Sequence, residues 1–363
     1  MFNKIRKINF LLIFIIILLS FIGFAAQYSA GGGSLDPWAK KHLVRIIISL
    51  LLLILIAMID IKFFYKYSYL FFLFSLMLLI SVEIIGNLGL GAKRWISFFG
   101  VSIQPSEIIK ITLILALSKY YHNLRFEMIG KIYTVIFPLI IIFIPFFLVL
   151  LQPDLGTSVT ILFLGLFIMF IAGVRIWKFV LGFALMLISL PFAWNNMKPY
   201  QQSRLLSFFN PDSDPLGQGY QLLQSKIALG SGGIIGKGFL QGTQSYLEYL
   251  PEKQTDFIFT LIGEEFGLIG TCFIILLFII IIIIAYNISF RSNNLFGKIL
   301  SIGICINIFL YVALNMAMVV GLMPVVGIPL PLLSYGGTAM LSVMISFGLL
   351  LNTEIHYNYK KLN

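Results

Sequence analysis

The strongest constraint on this chain is a series of about ten apolar runs, each near the roughly 20 residues that a helix needs to cross a bilayer. They fall at residues 9–26, 43–60, 68–86, 107–120, 132–151, 158–174, 177–194, 256–286, 298–320 and 337–353. With 60% hydrophobic and 11% charged residues, the composition excludes a soluble or disordered protein. The sequence predicts an all-α polytopic membrane protein, a single domain over residues 1–363. A large outer loop, residues 195–256, is expected between the seventh and eighth helices.

The first apolar run follows the basic segment MFNKIRK and precedes small residues, which is also the pattern of a cleavable signal peptide. Because the run is long for a signal peptide and nine further spans follow, an uncleaved first helix is the simpler interpretation. The eighth span, of about thirty residues, exceeds the thickness of the bilayer core. We therefore expect its first turns to leave the lipid or the helix to tilt.

The net charge of +11 follows the expected membrane topology. With the N-terminus in the cytoplasm, the inner segments hold 14 of the 25 basic residues and three of the 14 acidic ones, whereas the outer side holds 11 of each. This bias obeys the positive-inside rule and places both termini in the cytoplasm. No nucleic-acid partner is expected, and the outer concentration of acidic groups predicts that the chemistry faces outward.

The outer loop 195–256 is far longer than a helix connector, which predicts a functional loop with structure of its own. Its stretch YQLLQSKIALGSGGIIGKGFL is moderately apolar and Gly-rich, as in short amphipathic or re-entrant segments at a membrane surface. A flexible tether is the alternative, although a tether would be richer in Ser, Glu and Lys.

Asp256 lies where this loop meets the eighth span, at the boundary between water and lipid. A partly desolvated carboxylate there could act as a general base. Alternatively, Thr255 or Asp256 could be the N-cap of the helix and accept a hydrogen bond from its first N–H groups. The position alone favours neither interpretation.

Three further acidic or basic residues mark the outer ends of the spans. Glu107 and Lys110 are three residues apart and share a helix face behind Pro105, a residue that suits a helix start. Opposite charges in an apolar helix usually pair, so we expect a structural ion pair, with direct catalysis as the alternative. Asp154 in QPDLGT lies at an outer bend, where a turn-forming role and a substrate-binding role are both open.

Basic side chains form another candidate group on the outer side. Lys93 and Arg94 lie beside Trp95, and the long loop adds Arg204, Lys226 and Lys237. These donors could bind phosphate, or they could anchor the protein at the lipid headgroups.

The segment GIPLPLLSYGG, which begins at Gly327, combines two prolines with a pair of glycines. The hydrogen-bonding groups of non-helical backbone at membrane depth need partners in the protein or in a water-lined cavity, so we expect this segment to form a wall of the site.

The two cysteines lie inside apolar runs and the three histidines lie on separate loops or tails. Neither a disulfide nor a His-based metal site is predicted.

Several long motifs extend over essentially the whole chain: GAKRWI, QPSEIIKI, QPDLGTS, RLLSFFNPDSDPLGQGYQLLQSKIALGSGGIIGKG, GTQSYLEYLPEKQTDFIFTLIGEEFGLIG and MPVVGIPLPLLSYGGTAM. Together they resemble the SEDS family of bacterial cell-wall polymerases, the RodA and FtsW proteins. The stretches GTQSYLEYLPE and PVVGIPLPLLSYGG are more similar to the RodA branch.

The resemblance implies ten transmembrane helices in the bacterial cytoplasmic membrane and peptidoglycan glycosyltransferase activity at its outer leaflet. Such an enzyme joins lipid II units into glycan strands during cell elongation. A class B penicillin-binding protein and other membrane proteins of the elongation complex are its implied partners.

The resemblance also implies that Asp256 is the catalytic aspartate, and it carries functional roles onto Glu107, Lys110 and Asp154. Many relatives have His at the position of Gln254, so only a hydrogen-bonding role is expected there. Asp256 would accept a proton from the acceptor sugar. The outer bases Lys93, Arg94, Arg204 and Lys226, with a divalent cation such as Mg²⁺ or Mn²⁺, would neutralise the undecaprenyl pyrophosphate leaving group.

Two other functions compete with this hypothesis: a flippase for the lipid-linked precursor, and a non-catalytic scaffold for a partner synthase. A transporter is expected to place its binding polarity near the midplane and often shows internal repeats. The sequence has no convincing repeat, and the main charges within its spans are those of Glu107, Lys110, Glu264 and Glu265.

Overall fold

The computed structural model describes residues 8–89, 92–98, 101–196, 202, 206, 218–246, 249, 250 and 252–359. Helices dominate the described chain: α1 (Phe10–Ala30), α2 (Ala39–Met58), α3 (Ile61–Ile85), α4 (Pro105–Asn123), α5 (Ile132–Leu151), α6 (Leu155–Ile171), α7 (Ile176–Asn196), α8 (Gln218–Gly232), α9 (Thr243–Tyr246), α10 (Ile258–Arg291), α11 (Leu295–Val319) and α12 (Gly337–Ile355). A 3₁₀ turn, Phe126–Met128, joins α4 to α5.

Short polar residues begin several of these helices. Asn9, Asp60 and Asn294 occupy the N-cap positions of α1, α3 and α11, and their side chains accept hydrogen bonds from backbone N–H groups of the first turn. Pro105 begins α4, as the sequence predicts. These caps satisfy N–H groups that have no partner inside the helix.

Seven of the described helices are long and apolar enough to cross a membrane: α1, α2, α3, α5, α10, α11 and α12. The helices α4, α6 and α7 coincide with the fourth, sixth and seventh predicted spans. However, α4 carries three charged residues, and the apolar parts of α6 and α7 are shorter than the spanning length. The all-α membrane fold is confirmed, and the number of ten spans stays a prediction.

The core of the protein is built around α4, most of whose residues are buried. It packs against α3, α6, α11 and α12, which surround its charged residues Glu107 and Lys110 with protein. The outer helices instead expose large apolar side chains, such as Phe14 of α1 and Ile188 of α7. Exposed apolar surface of this kind is expected where lipid is the solvent.

A small antiparallel sheet, which the sequence analysis did not predict, covers the segment between α3 and α4. Its strands are β1 (Asn87–Gly89), β2 (Ala92–Phe98) and β3 (Val101–Ile103), in that spatial order. β2 pairs Trp95 with Asn87 of β1 and Ile96 with Ile103 of β3. β1 and β3, of three residues each, are too short for an alternating pattern to stand out, and the seven residues of β2, AKRWISF, do not alternate regularly between apolar and polar side chains.

The long helix α10 is broken at Gly267, where φ is 63° and ψ is −159°. The break frees backbone groups of α10, and the glycine loop, residues 233–238, binds them. The N–H groups of Lys237 and Gly238 donate to the carbonyls of Glu264 and Glu265 at 3.0 Å. In return, the N–H groups of Leu268 and Ile269 donate to the carbonyls of Gly233 and Ile234 at 2.9 and 3.1 Å. The break therefore lies within the first turns of the eighth predicted span, whose placement in the lipid stays a prediction.

This junction needs glycine on both sides. A Cβ at Gly267 would lie 2.4 Å from the backbone nitrogen of Gly236, and a Cβ at Gly236 would lie 2.1 Å from the carbonyl oxygen of Glu265. Both glycines also have positive φ values, 63° and 89°. The Gly-rich stretch of the outer loop thus forms ordered structure that packs against α10, through α8 and the glycine loop.

We predict that Gly267→Ala lowers the free energy of unfolding by about 2–4 kcal/mol, because its Cβ meets backbone and its φ/ψ region is essentially restricted to glycine. The measurement is thermal unfolding of the purified protein in detergent. Gly230→Ala in α8 is the matched control, since nothing lies within 4 Å of its Cβ. A Gly267→Ala protein as stable as the control would contradict the junction.

Candidate active site

Asp256 lies in a turn of residues 252–257 that leads into α10. The turn is closed by Glu252, whose carbonyl accepts the N–H groups of Thr255 at 3.1 Å and Phe257 at 3.3 Å. The Thr255 hydroxyl donates to the Glu252 carboxylate at 2.9 Å. Phe257 occupies the N-cap position of α10 and supplies no capping side chain, so the N-cap interpretation of Thr255 or Asp256 is wrong.

Three consecutive carbonyls of this turn accept hydrogen bonds from distant parts of the chain. Gln27 Nε2 (2.9 Å) and the Tyr335 N–H (2.8 Å) donate to Gln254, Ser334 Oγ (2.6 Å) donates to Thr255, and Asn315 Nδ2 (2.9 Å) donates to Asp256. The donors come from α1, from α11 and from the segment before α12. The turn is therefore fixed by three separate elements of the bundle.

The segment before α12, residues 320–336, borders the Asp256 side chain. A Cβ on Gly327, whose φ is +70°, would lie 3.5 Å from Asp256 Oδ2. Asn315 Nδ2 also donates to the Ile328 carbonyl at 2.7 Å, so one amide group binds both the turn and this segment. Within the segment, Ser334 Oγ accepts the N–H of Leu330 at 2.8 Å. Its non-helical backbone thus finds protein partners, as the sequence predicts.

Glu107 and Lys110 form the predicted ion pair, with Nζ 2.7 Å from Oε1 and both residues 2% exposed. Tyr311 of α11 joins the pair, since its hydroxyl donates to Glu107 Oε2 and accepts from Lys110 Nζ. Ser342 of α12 donates to Glu107 Oε2 at 3.3 Å. The pair therefore holds α4 to α11 and α12, and a direct contact with substrate stays a prediction.

Asp154 is buried at the N-terminus of α6 and acts as its cap. Its carboxylate accepts from the Thr157 N–H (3.2 Å), the Thr157 hydroxyl (2.9 Å) and Gln104 Nε2 (3.3 Å). Arg94 of β2 donates to the carbonyl of Gln152 at 3.4 Å and to that of Pro153. Both residues thus stabilise the QPD bend, and their binding of substrate is a separate, untested role.

The other basic residues predicted to bind phosphate differ in whether they lie near the Asp256 turn. Lys93 is exposed on β2, and Lys237 pairs with the buried Glu264 at 2.7 Å. The side chain of Lys226 in α8 packs against Gly321, since a Cβ on Gly321 would lie 2.1 Å from Lys226 Cε. Lys226 therefore reaches the start of the segment that borders Asp256. Arg204 lies outside the described residues.

Gln254 and the possible metal ligands can also be placed. The Gln254 amide donates to the Glu252 carboxylate at 3.4 Å, which agrees with the hydrogen-bonding role expected of this position. Across the described parts of the chain, no group of three His, Cys, Asp or Glu residues could hold a metal ion. The two cysteines are free.

Comparison with known proteins identifies the family. The FtsW/RodA/SpoVE family, described as "Cell cycle protein", matches residues 5–359. The chain belongs to this family. It is 42% identical over 281 residues to "Peptidoglycan glycosyltransferase MrdB" of Escherichia coli K12, covering 77% of this chain and 75% of that protein. It is 37% identical to "Probable peptidoglycan glycosyltransferase FtsW" of Wigglesworthia glossinidia brevipalpis, covering 99% of this chain and 97% of that protein.

Solved structures of the FtsW/RodA/SpoVE family have the same fold. One chain, from "Structural coordination of polymerization and crosslinking by a peptidoglycan synthase complex", is 29% identical with a TM-score of 0.84, covering 97% of this chain and 98% of that chain. The Thermus thermophilus rod shape determining protein RodA is 24% identical with a TM-score of 0.73 and the same coverage. At 24% identity, the similarity to the Thermus thermophilus protein supports the fold and not the function.

Sequence reasoning missed Gln27, Tyr311 and Asn315, which are buried and which bind the Asp256 turn or the Glu107 pair. Tyr311 and Asn315 are polar residues inside the apolar run 298–320, and Gln27 directly follows the run 9–26. Polar groups at membrane depth are costly and usually serve a function, so the positions of these residues could have indicated that they belong to the site. Their partners, however, are tens to hundreds of residues away.

We predict that Lys110→Met lowers the free energy of unfolding by about 3–5 kcal/mol, because it leaves the buried Glu107 carboxylate without its cation. The double variant Glu107→Leu/Lys110→Met should recover most of this loss. The measurement is thermal unfolding in detergent, with Lys93→Met, an exposed lysine, as the control. Equal stability of Lys110→Met and Lys93→Met would refute the structural role of the pair.

Proposed function

We propose that this chain is a peptidoglycan glycosyltransferase that polymerises lipid II at the outer leaflet of the bacterial cytoplasmic membrane during cell elongation. Membership of the FtsW/RodA/SpoVE family, with relatives named peptidoglycan glycosyltransferases, supports the activity. The observation that carries the mechanism is the Asp256 turn. Hydrogen bonds fix three backbone carbonyls of this turn, and the turn in its fixed position places the Asp256 carboxylate beside Gly327.

In the proposed reaction, the Asp256 carboxylate accepts the proton of the 4-hydroxyl group on the acceptor's GlcNAc. The oxygen then attacks the anomeric carbon of the donor's MurNAc with inversion. The bond from that carbon to the pyrophosphate oxygen breaks, and undecaprenyl pyrophosphate leaves with the electron pair. No covalent enzyme intermediate is needed, and the fixed turn supplies the positioning on which such proton transfer depends.

The leaving pyrophosphate needs positive charge, which we assign to Lys93, Arg94, Arg204 and Lys226. Lys226 has the best supporting geometry, since it reaches the segment that borders Asp256. Among the described residues no group of three His, Cys, Asp or Glu side chains could hold a metal ion, so we assign no protein ligands to one. A Mg²⁺ or Mn²⁺ requirement is a proposal to be tested by omitting the cation.

The active face is proposed to be outward and both termini cytoplasmic, as the charge distribution indicates. The proposed partners are a class B penicillin-binding protein and other membrane proteins of the elongation complex. The similarity to a chain of a synthase complex that coordinates polymerization and crosslinking supports such a partner.

We predict that Asp256→Asn slows lipid II polymerisation by roughly 10²–10⁴-fold, the usual contribution of a general base. The measurement is glycan synthesis by the purified protein, with and without its partner and with divalent cations present. Asp60→Asn is the matched control, because Asn caps α3 as well as Asp does.

Near wild-type polymerisation by a folded Asp256→Asn protein would exclude the aspartate as the base. Precursor translocation into liposomes without glycan synthesis would favour the flippase instead. If the wild-type protein makes no polymer even with its partner, and Asp256→Asn restores growth to depleted cells, the scaffold function is correct.

A further inference from the structure

A polar cavity lies beside the Asp256 turn. Its volume is about 400 Å³, within the usual size of small-ligand sites. The end of α1, the segment 31–38, residues 240–242, Lys253 and Glu265 line it. Neither the proposed proton transfer nor the proposed pyrophosphate contacts use this cavity.

Glu265 is the group that marks the cavity as a binding site. The residue is 2% exposed, and Ser29 Oγ donates to its Oε1. The backbone N–H of Leu240, another lining residue, also donates to this carboxylate. Burying a carboxylate is costly, and a polar ligand in the cavity would offset part of that cost. The break in α10 fixes this carboxylate, since Gly238 donates to the Glu265 carbonyl at 3.0 Å.

The other groups of the lining define the kind of ligand. Lys253 offers an ammonium group, Ser34 a hydroxyl group, and Trp38 a half-buried indole ring. A sugar matches this set: its hydroxyl groups donate to Glu265, an N-acetyl carbonyl accepts from Lys253, and its apolar ring face packs on Trp38.

The cavity also lies within reach of the proposed reaction centre. Lys253 precedes Asp256 by three residues, so their Cα atoms are at most about 11 Å apart. Gln27, which binds the Gln254 carbonyl, precedes Ser29 of the cavity by two residues on α1. A disaccharide is long enough to join the two positions.

We propose that this cavity is a subsite for an N-acetylated sugar of the glycan strand, next to the ring that reacts at Asp256. This inference rests on the proposed polymerase function. The subsite holds a sugar that is already part of the strand, so it retains the growing chain between additions. Its loss should shorten the product while leaving the first glycosidic bond largely unaffected.

The test uses the full-length protein with Trp38→Ala and Glu265→Gln. The controls are Trp177→Ala, an exposed tryptophan at the start of α7, and Glu127→Gln, an exposed residue of the 3₁₀ turn. Binding of soluble N-acetylglucosamine oligomers is measured by calorimetry, and glycan length is measured after reaction with lipid II. We expect both cavity variants to bind the oligomers roughly tenfold more weakly and to make shorter chains, while both controls match the wild-type protein.

Trp38 is half-buried at the N-cap position of α2 and packs against the core, so thermal unfolding is used to check that Trp38→Ala is folded. Trp38→Leu, which keeps an apolar side chain but lacks the indole ring, keeps the test decisive if Glu265→Gln does not fold. Wild-type chain length and oligomer affinity in Trp38→Ala would overturn the subsite, even though polymerisation itself continues. If the wild-type protein forms no glycan at all, the polymerase function fails first, and the two failures are therefore distinguishable. Weakened binding with shortened chains supports the subsite.

Discussion

The placement of the site depends on backbone carbonyls that lie outside any helix. A carbonyl packed inside a helical bundle is costly without a donor, so the carbonyls of Gln254, Thr255 and Asp256 need donors within the protein. They find them in α1, in α11 and in the segment before α12. Because these elements are far apart in the sequence, the Asp256 carboxylate takes up its position only when the whole bundle has packed. A single amide, that of Asn315, binds both the turn and the segment that faces it.

The same requirement explains the other polar features of the bundle. The break at Gly267 frees carbonyl and N–H groups of α10, and the glycine loop pairs with both kinds. The buried charges of Glu107 and Lys110 satisfy each other and bind Tyr311. Glu265, beside the same break, is a buried carboxylate that binds Ser29 and lines a cavity.

The sequence predicts much of this fold because apolar runs and local pairs depend on residues that are close in the chain. The helices fall where the runs are, α4 begins at Pro105, and the Glu107–Lys110 pair follows from a spacing of three residues. The break in α10 was not predicted, although Glu264 and Glu265 interrupt the apolar run just before Gly267, since the pairing partner is some thirty residues away. The hydrogen bonds that hold Asp256 join distant helices, which a single sequence does not reveal.

The central claim is that a carboxylate held by this turn acts as the base, and the pH dependence of glycan synthesis tests it most directly. Initial rates of lipid II polymerisation should be measured across the acidic range for the wild-type protein and for Asp256→Asn. The account predicts that the wild-type rate falls as the carboxylate is protonated, and that the low residual rate of the variant lacks this dependence. A variant that keeps both the wild-type rate and the wild-type acidic limb would contradict it.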